Sequence, residues 1–253
     1  MTEPAARPAT TIDDPPVLAG TFAVRGGIVE AIGRLDARNR AAAAFYDGPG
    51  WRRFRPWERL FLALHGGERR ARREVLRHLP TVVNARVLEV GIGDGANLPL
   101  LPPGWEIHGV DIARTRLVAC FGRFPAMAGR LAWARGEDLP YQDGSFDACF
   151  SMGGFNDFGD HAAALRELRR VTRPGGTLIV ADEATWLLRC GIGHLLGVPA
   201  VDRWWLRALG LDRAFLDLVF DRPSDLDATV RAAWPGAERC PIWAGLGYCY
   251  VDR

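Results

Sequence analysis

Between residues 86 and 182, five apolar runs of strand length alternate with stretches of helix-like pattern. The runs are RVLEVG (86–91), EIHGVD (106–111), LAWARG (131–136), SFDACFS (145–151) and GTLIVAD (176–182). The helix-like stretches cover 96–101, 113–124 and 161–173. Runs this short and this apolar suit strands covered on both faces. Their alternation with helices calls for parallel βαβ units with right-handed crossovers. Two last runs, AERCPIW (237–243) and LGYCYVD (246–252), are joined by a short Gly-containing connection and read as an antiparallel pair. The expected fold is α/β: a Rossmann-like, doubly wound, seven-stranded sheet, mostly parallel, with an antiparallel C-terminal strand.

The remaining chain is arranged around that sheet. Residues 1–20, rich in Pro, Ala and Thr, read as a disordered tail. From about 26 to 45, Ile28, Ile32 and Leu35 have helical spacing. A Gly-Pro-Gly break at 48–50 follows. Trp57, Leu60, Phe61 and Leu64, then Val75, Leu76 and Leu79 beyond a Gly-Gly break, repeat near every 3.6 residues. A single domain, 21–253, would thus divide into an N-terminal helical cap (21–84), a core (85–183), a Trp- and Leu-rich helical insertion forming a lid (184–230) and a terminal strand pair (231–253).

Composition excludes several chemistries. All 32 basic residues are arginine, so no lysine exists for a Schiff base or a P-loop. A net charge of +2 gives no footprint for nucleic acid. The five cysteines (120, 149, 190, 240, 249) form no C-x-x-C pair and read as free thiols in a reducing compartment. No His/acidic cluster calls for a metal. The first residues hold no apolar signal region, and no apolar run reaches the roughly 18 residues of a membrane span. A cytoplasmic location is expected.

The first run leads into EVGIGDGANLP (89–99), with Gly91, Gly93 and Gly95 at alternate positions. A loop at the carboxyl end of a parallel strand is where open α/β sheets bind ligands. The stretch satisfies the loose dinucleotide pattern G-x-G-x-x-A as well as the acidic-x-G-x-G-x-G loop of S-adenosylmethionine sites. Asp111, 20 residues after Gly91, suits the ribose of either nucleotide class.

The motifs that follow separate the two. VLEVGIGDGANLP, GVDIA, ARGEDLPYQDGSFDACFS and HAAALRELRRVTRPGGTLIVADE together resemble class I S-adenosylmethionine-dependent methyltransferases over about residues 85–183. LPYxDGSFD and LRELRRVTRPGG are similar to the branch containing the ubiquinone and menaquinone biosynthesis methyltransferases. The resemblance implies S-adenosylmethionine as methyl donor. Glu89 would face its ammonium, Gly91, Gly93 and Gly95 would shape the loop with Asp94 and Asn97 beside them, and Asp111 would hold the ribose. Ile112 would pack on adenine, with Gly136 and Glu137 at the adenine end. There Arg135 stands where the family usually has aspartate. Ser151 would lie under the sulfonium.

For the acceptor, SMGGFNDFGDH (151–161) lacks the N-P-P-Y type of motif used on exocyclic amines. Asp157 and His161 are the candidate bases, and Asn156 a candidate orienting group. Asp157 and Asp160 also read as ordinary turn and N-cap residues. Tyr46 and Trp51 are the candidate substrate and lid residues. The expected reaction is methyl transfer to an O, C or N atom of a small, fairly apolar metabolite. The alternatives are a membrane quinone or phospholipid acceptor, with residues 186–220 resting on the bilayer, and a non-catalytic S-adenosylmethionine-binding protein.

Overall fold

The computed structural model describes residues 17–64, 66–184, 198–208, 226–253 and the single positions 213, 216 and 220. Cys190, His65, His194 and most of the predicted insertion lie outside the described residues, as does the tail up to residue 16. The strands are β1 (Ala23–Arg25), β2 (Ile28–Glu30), β3 (Arg86–Val90), β4 (Glu106–Asp111), β5 (Leu131–Trp133), β6 (Phe146–Met152), β7 (Thr172–Glu183), β8 (Glu238–Ile242) and β9 (Gly247–Asp252). The helices are α1 (Ala37–Asp47), α2 (Pro49–Leu64), α3 (Glu68–Leu76), α4 (Arg114–Arg123), α5 (His161–Val171), α6 (Pro199–Ala208) and α7 (Leu226–Ala233).

All nine described strands form one sheet in the order β1-β2-β5-β4-β3-β6-β7-β9-β8. Strands β3 to β7 run parallel. β9 is antiparallel to both β7 and β8, so the predicted C-terminal pair forms as expected. The seven expected strands are β3–β9. The order reverses at β3, with β4 on one side and β6 on the other. This switch opens a crevice at the carboxyl ends of those strands, beside the glycine loop.

The two extra strands correct the reading of residues 26–45 as helix. Gly26 and Gly27, at φ +58° and +77°, supply the two left-handed residues of a tight hairpin turn between β1 and β2. Ile28 and Val29 are then buried by parallel pairing with β5, and helix begins only at Ala37, capped by Asp36. Sheet pairing of a β-branched pair outweighs the helical spacing of Ile28, Ile32 and Leu35. Order also reaches into the predicted tail. Val17 and Ala19 hydrogen-bond to residues 142 and 140, and Leu18 bridges to Tyr141.

The Gly-Pro-Gly stretch separates two helices but also begins the second, since Pro49 opens α2. Proline suits a first helical position, where its missing N–H removes no bond. The helix predicted over 96–101 reduces to one 3-10 turn at Leu98–Leu100. Pro99, Pro102 and Pro103 leave no run able to sustain helical bonding.

Every residue of β3 is buried, with Val87 packed in one apolar layer and Leu88 and Val90 in the other. Period two places Glu89 on the same face as Val87, beneath α3. On the opposite face α5 buries His161, Ala164, Leu165, Leu168 and Val171, a helical stripe. Its N-cap is Asp160, accepting from the Ala163 amide at 2.9 Å. Trp234, after α7, is fully buried there and donates its Nε1–H to the Leu165 carbonyl. Cys120, Cys149 and Cys249 are buried free thiols, each pushed up to about 12 by burial.

Candidate functional site

The crevice at the switch point is a cavity of about 150 Å³. Its floor comes from four adjacent strands. β3 and its loop contribute Glu89 to Asp94, β4 contributes Val110 and Asp111, the end of β5 contributes Ala134, and β6 contributes Met152 to Gly154. Its roof is the helical cap: Asn39, Ala42 and Tyr46 of α1, Trp51, Arg55 and Leu62 of α2, and Arg72 of α3.

The three loop glycines do different work. All have positive φ: +81° at Gly91, +57° at Gly93 and +77° at Gly95. A Cβ on Gly93 would meet nothing within 4 Å, and one on Gly91 only the Ser151 Oγ at 3.9 Å. Those two present bare main chain to the cavity. At Gly95 a Cβ would come within 2.8–2.9 Å of Cys120, Leu98 and Phe124, so this glycine serves core packing.

Glu89 is 1% exposed, yet it lines the cavity. One carboxylate oxygen accepts from Asn97 Nδ2 at 2.6 Å, and the other, Oε2, has no partner. Burial pushes its pKa up to about 8, against the pull of Asn97 and the Arg72 guanidinium. A buried carboxylate oxygen left bare is costly unless a donor arrives. Asn97 itself does not line the cavity. Its Oδ1 accepts from Arg72 Nη1 at 3.0 Å, and Arg72 pairs with Glu68. A polar chain thus links α3 to the base of β3.

Asp111 is buried at the end of β4 and accepts from the Gly93 amide through Oδ2 and the Ala113 amide through Oδ1, both at 2.8 Å. Burial raises its pKa to about 6, opposed by those two amides. Each oxygen keeps a second lone pair, and the residue lines the cavity. Asp94 is drawn outward to Arg55 and Arg123 at 3.1 and 3.2 Å.

At the far end, Ile112, Gly136 and Glu137 line the wall with Phe158. Glu137 Oε1 accepts from the amides of Gly159 and Asp160 and from Asn39, so this carboxylate fastens α1 and the segment before α5 to the β5 end. Ser151 is fully buried, does not line the cavity, and its hydroxyl is without a partner.

The acceptor-side candidates separate. Asp157 lines the cavity and accepts from the Tyr46 hydroxyl at 2.8 Å. Burial first, then the Asp157 carboxylate, holds the Tyr46 phenol well above its usual pKa. Trp51 stacks at a tilt on Tyr46, 5.2 Å between ring centres, and its buried Nε1–H has no acceptor. Asn156 is spent on structure, donating to the Glu183 carbonyl and accepting from Tyr248. His161 packs edge-on against Phe155 and does not line the cavity. Burial, with Arg38 nearby, lowers its pKa to about 4. His108 is a satisfied core histidine, bonded to Glu106 at 2.9 Å.

Arg72, Asn39, Arg116 and Trp243 also line the cavity and carried no signal in the sequence, whereas Arg55 belongs to the Arg52, Arg53, Arg55 and Arg59 cluster, which suits an anionic group or a solvated face. Trp243 sits between β8 and β9 at φ +51°, a left-handed residue beside the cavity, and its Nε1–H holds the Ala71 carbonyl of α3. The short connection at 243–246 signalled only a turn. The arginines carried no signal beyond a generally basic helix. Among the described residues no group of His, Cys, Asp or Glu could hold a metal ion.

The Methyltransferase domain family matches residues 88–180, the span from β3 into β7. Over that span the chain is similar to S-adenosylmethionine-dependent methyltransferase domains. A demethylmenaquinone methyltransferase of Thermus thermophilus is 37% identical over 110 residues, covering 38% of this chain and 46% of the relative. The O-methyltransferase rstn1 of Aspergillus nomiae is 29% identical over 119 residues, covering 45% and 53%. The chain spans about half the length of these curated relatives. A Bordetella parapertussis crystal structure shares the fold with a TM-score of 0.51 at 20% identity, over 76% of this chain and 67% of that one. The family and relative likenesses fall on the α/β core, and the structural one shows its fold.

Proposed function

We propose that the chain transfers a methyl group from S-adenosylmethionine to an O, C or N atom of a small, fairly apolar acceptor by direct displacement. The observation that carries this is the Glu89 carboxyl on the floor of a glycine-lined cavity, its Oε2 buried without a partner and open to a cationic donor. The methionyl ammonium is such a donor. Asp111 would accept the two ribose hydroxyls beside the amides it already holds, and Ile112 would pack on the adenine. Arg72, on the same polar chain as Glu89, would meet the methionyl carboxylate.

When bound, S-adenosylmethionine supplies a methyl group on a sulfonium whose leaving group is a neutral thioether. The protein's task is then alignment and exclusion of water, and positioning of this kind supplies about 7–11 kcal/mol. The main-chain face of Gly91 and Gly93 leaves room for close approach. Leu62, Val90, Met152, Phe158 and Trp243 give the cavity an apolar lining. A proton must leave only if the acceptor arrives protonated, and Asp157, which accepts from the Tyr46 hydroxyl, would receive it.

The relatives named demethylmenaquinone methyltransferase suggest a second acceptor, a lipid-borne quinol, and the exposed Trp204 and Trp205 of α6 favour it. Calorimetric titration with S-adenosylhomocysteine tests the cofactor reading. Tight binding that Asp111→Ala weakens by one to a few kcal/mol is the expected result. Unchanged affinity in that variant removes Asp111 from the ribose.

A further inference from the structure

Helix α6 carries its apolar residues outward. Val201, Trp204, Trp205 and Ala208 recur at i, i+3, i+4 and i+7, and all are exposed, with Val198 a turn ahead. Trp204 is 66% exposed and Trp205 59%, their rings meeting edge-on at 5.8 Å. The opposite face is the packed one. Asp202 is buried, and Leu206 joins Phe45, Trp51 and Phe54 in one small apolar cluster.

Helix α2 repeats the arrangement. Trp51, Phe54, Arg55 and Leu62 face the cluster or the cavity, while Trp57 and Leu60 stand 47% and 52% exposed on the other side. Arg52, Arg53 and Arg59 of α2 and Arg207 of α6 are exposed around these apolar residues. The two helices thus share inward contacts in this cluster, whose Trp51 also lines the cavity, and present tryptophan, aliphatic side chains and arginine outward. Tryptophan with arginine on one face of a helix suits the boundary between headgroups and acyl chains. The exposed charges named here are of one sign, which complements an anionic leaflet. A second copy across a two-fold axis would set those arginines against one another.

We propose that the outward faces of α6 and α2 dock on an anionic phospholipid bilayer, setting the helical wall of the cavity at the lipid interface. This deepens the reading of an apolar acceptor, but vesicle binding is read without any methyl transfer. The experiment is co-sedimentation of the full chain with vesicles of phosphatidylcholine alone and of phosphatidylcholine containing phosphatidylglycerol. The chain should pellet with the anionic vesicles, more weakly with the neutral ones, and less as salt rises. Trp204→Ser/Trp205→Ser should lower the partition coefficient ~10-fold or more. Its affinity for S-adenosylhomocysteine should not change, because neither tryptophan lines the cavity. Arg52→Gln/Arg53→Gln should remove the preference for anionic vesicles alone. Absence of pelleting with either vesicle overturns the proposal, as does a tryptophan variant that pellets like the parent. A concentration-dependent dimer that the tryptophan variant abolishes assigns the surface to a second copy and overturns it too.

Discussion

Glu89→Gln is the most informative single perturbation. In the free protein the Glu89 carboxyl has a pKa of about 8, so at pH 7 roughly one molecule in ten carries the anion. Binding of a methionyl ammonium requires the anion, so at pH 7 each binding event should release about 0.9 proton from this site. Affinity should rise nearly tenfold per pH unit up to about pH 8, where the ligand's own amine begins to lose its proton. The neutral amide removes this titration. It also exchanges a charge-assisted bond of about 1.5–3 kcal/mol for a weaker one. The same change has an opposite effect on the empty protein. A folded pKa raised from 4.5 to about 8 means the unfolded chain releases the proton first, so stability falls as pH rises between those values. The glutamine variant should therefore be the more stable protein at pH 8, by at most about 5 kcal/mol. Calorimetry in buffers of different ionisation enthalpy counts the protons, and thermal unfolding gives the stability. Equal proton release in parent and variant would refute the assignment of Glu89.

Other residues give independent expectations. Gly95→Ala should unfold several degrees lower, through left-handed strain and crowding against Cys120, Leu98 and Phe124 worth about 2–4 kcal/mol. Gly93→Ala should lose little more than about 1–2 kcal/mol of stability yet bind S-adenosylhomocysteine poorly, because its new methyl enters the cavity. Asp157→Asn should lower kcat about 10²–10⁴-fold with a hydroxyl acceptor and leave nucleoside affinity intact, and Tyr46→Phe should give a smaller loss in the same direction. An unchanged kcat excludes Asp157 as the base. His161, with a folded pKa of about 4 against 6.5 unfolded, should cause up to about 3 kcal/mol of stability to be lost as pH falls from 6.5 to 4. His161→Phe should flatten that slope in urea titrations.

The parallel core was legible because its strands are buried on both faces, so apolar runs such as RVLEV and EIHGVD stand out without needing a partner to interpret them. The floor of the cavity was legible for a related reason. A carboxylate inside a buried strand and glycines after it have few structural uses. The hairpin at 23–30 was not, because Ile28 and Val29 acquire strand character only from β5, a hundred residues away. The roof was equally opaque. Arg72 and Trp243 reach the cavity through the docking of α3 and of the β8–β9 turn, and local pattern carries no record of that docking. The same long-range packing decides between neighbours in one motif, placing Asp157 in the cavity wall while Asn156 and His161 turn into the core.

The most direct test of the account is a crystal structure of the complex with S-adenosylhomocysteine. The ligand's amino group should lie within hydrogen-bonding distance of Glu89 Oε2, both ribose hydroxyls on Asp111, and the sulfur should face the side of the cavity that holds Tyr46 and Asp157. A nucleoside bound with Glu89 Oε2 still bare, or seated outside the crevice between β3 and β6, would contradict it.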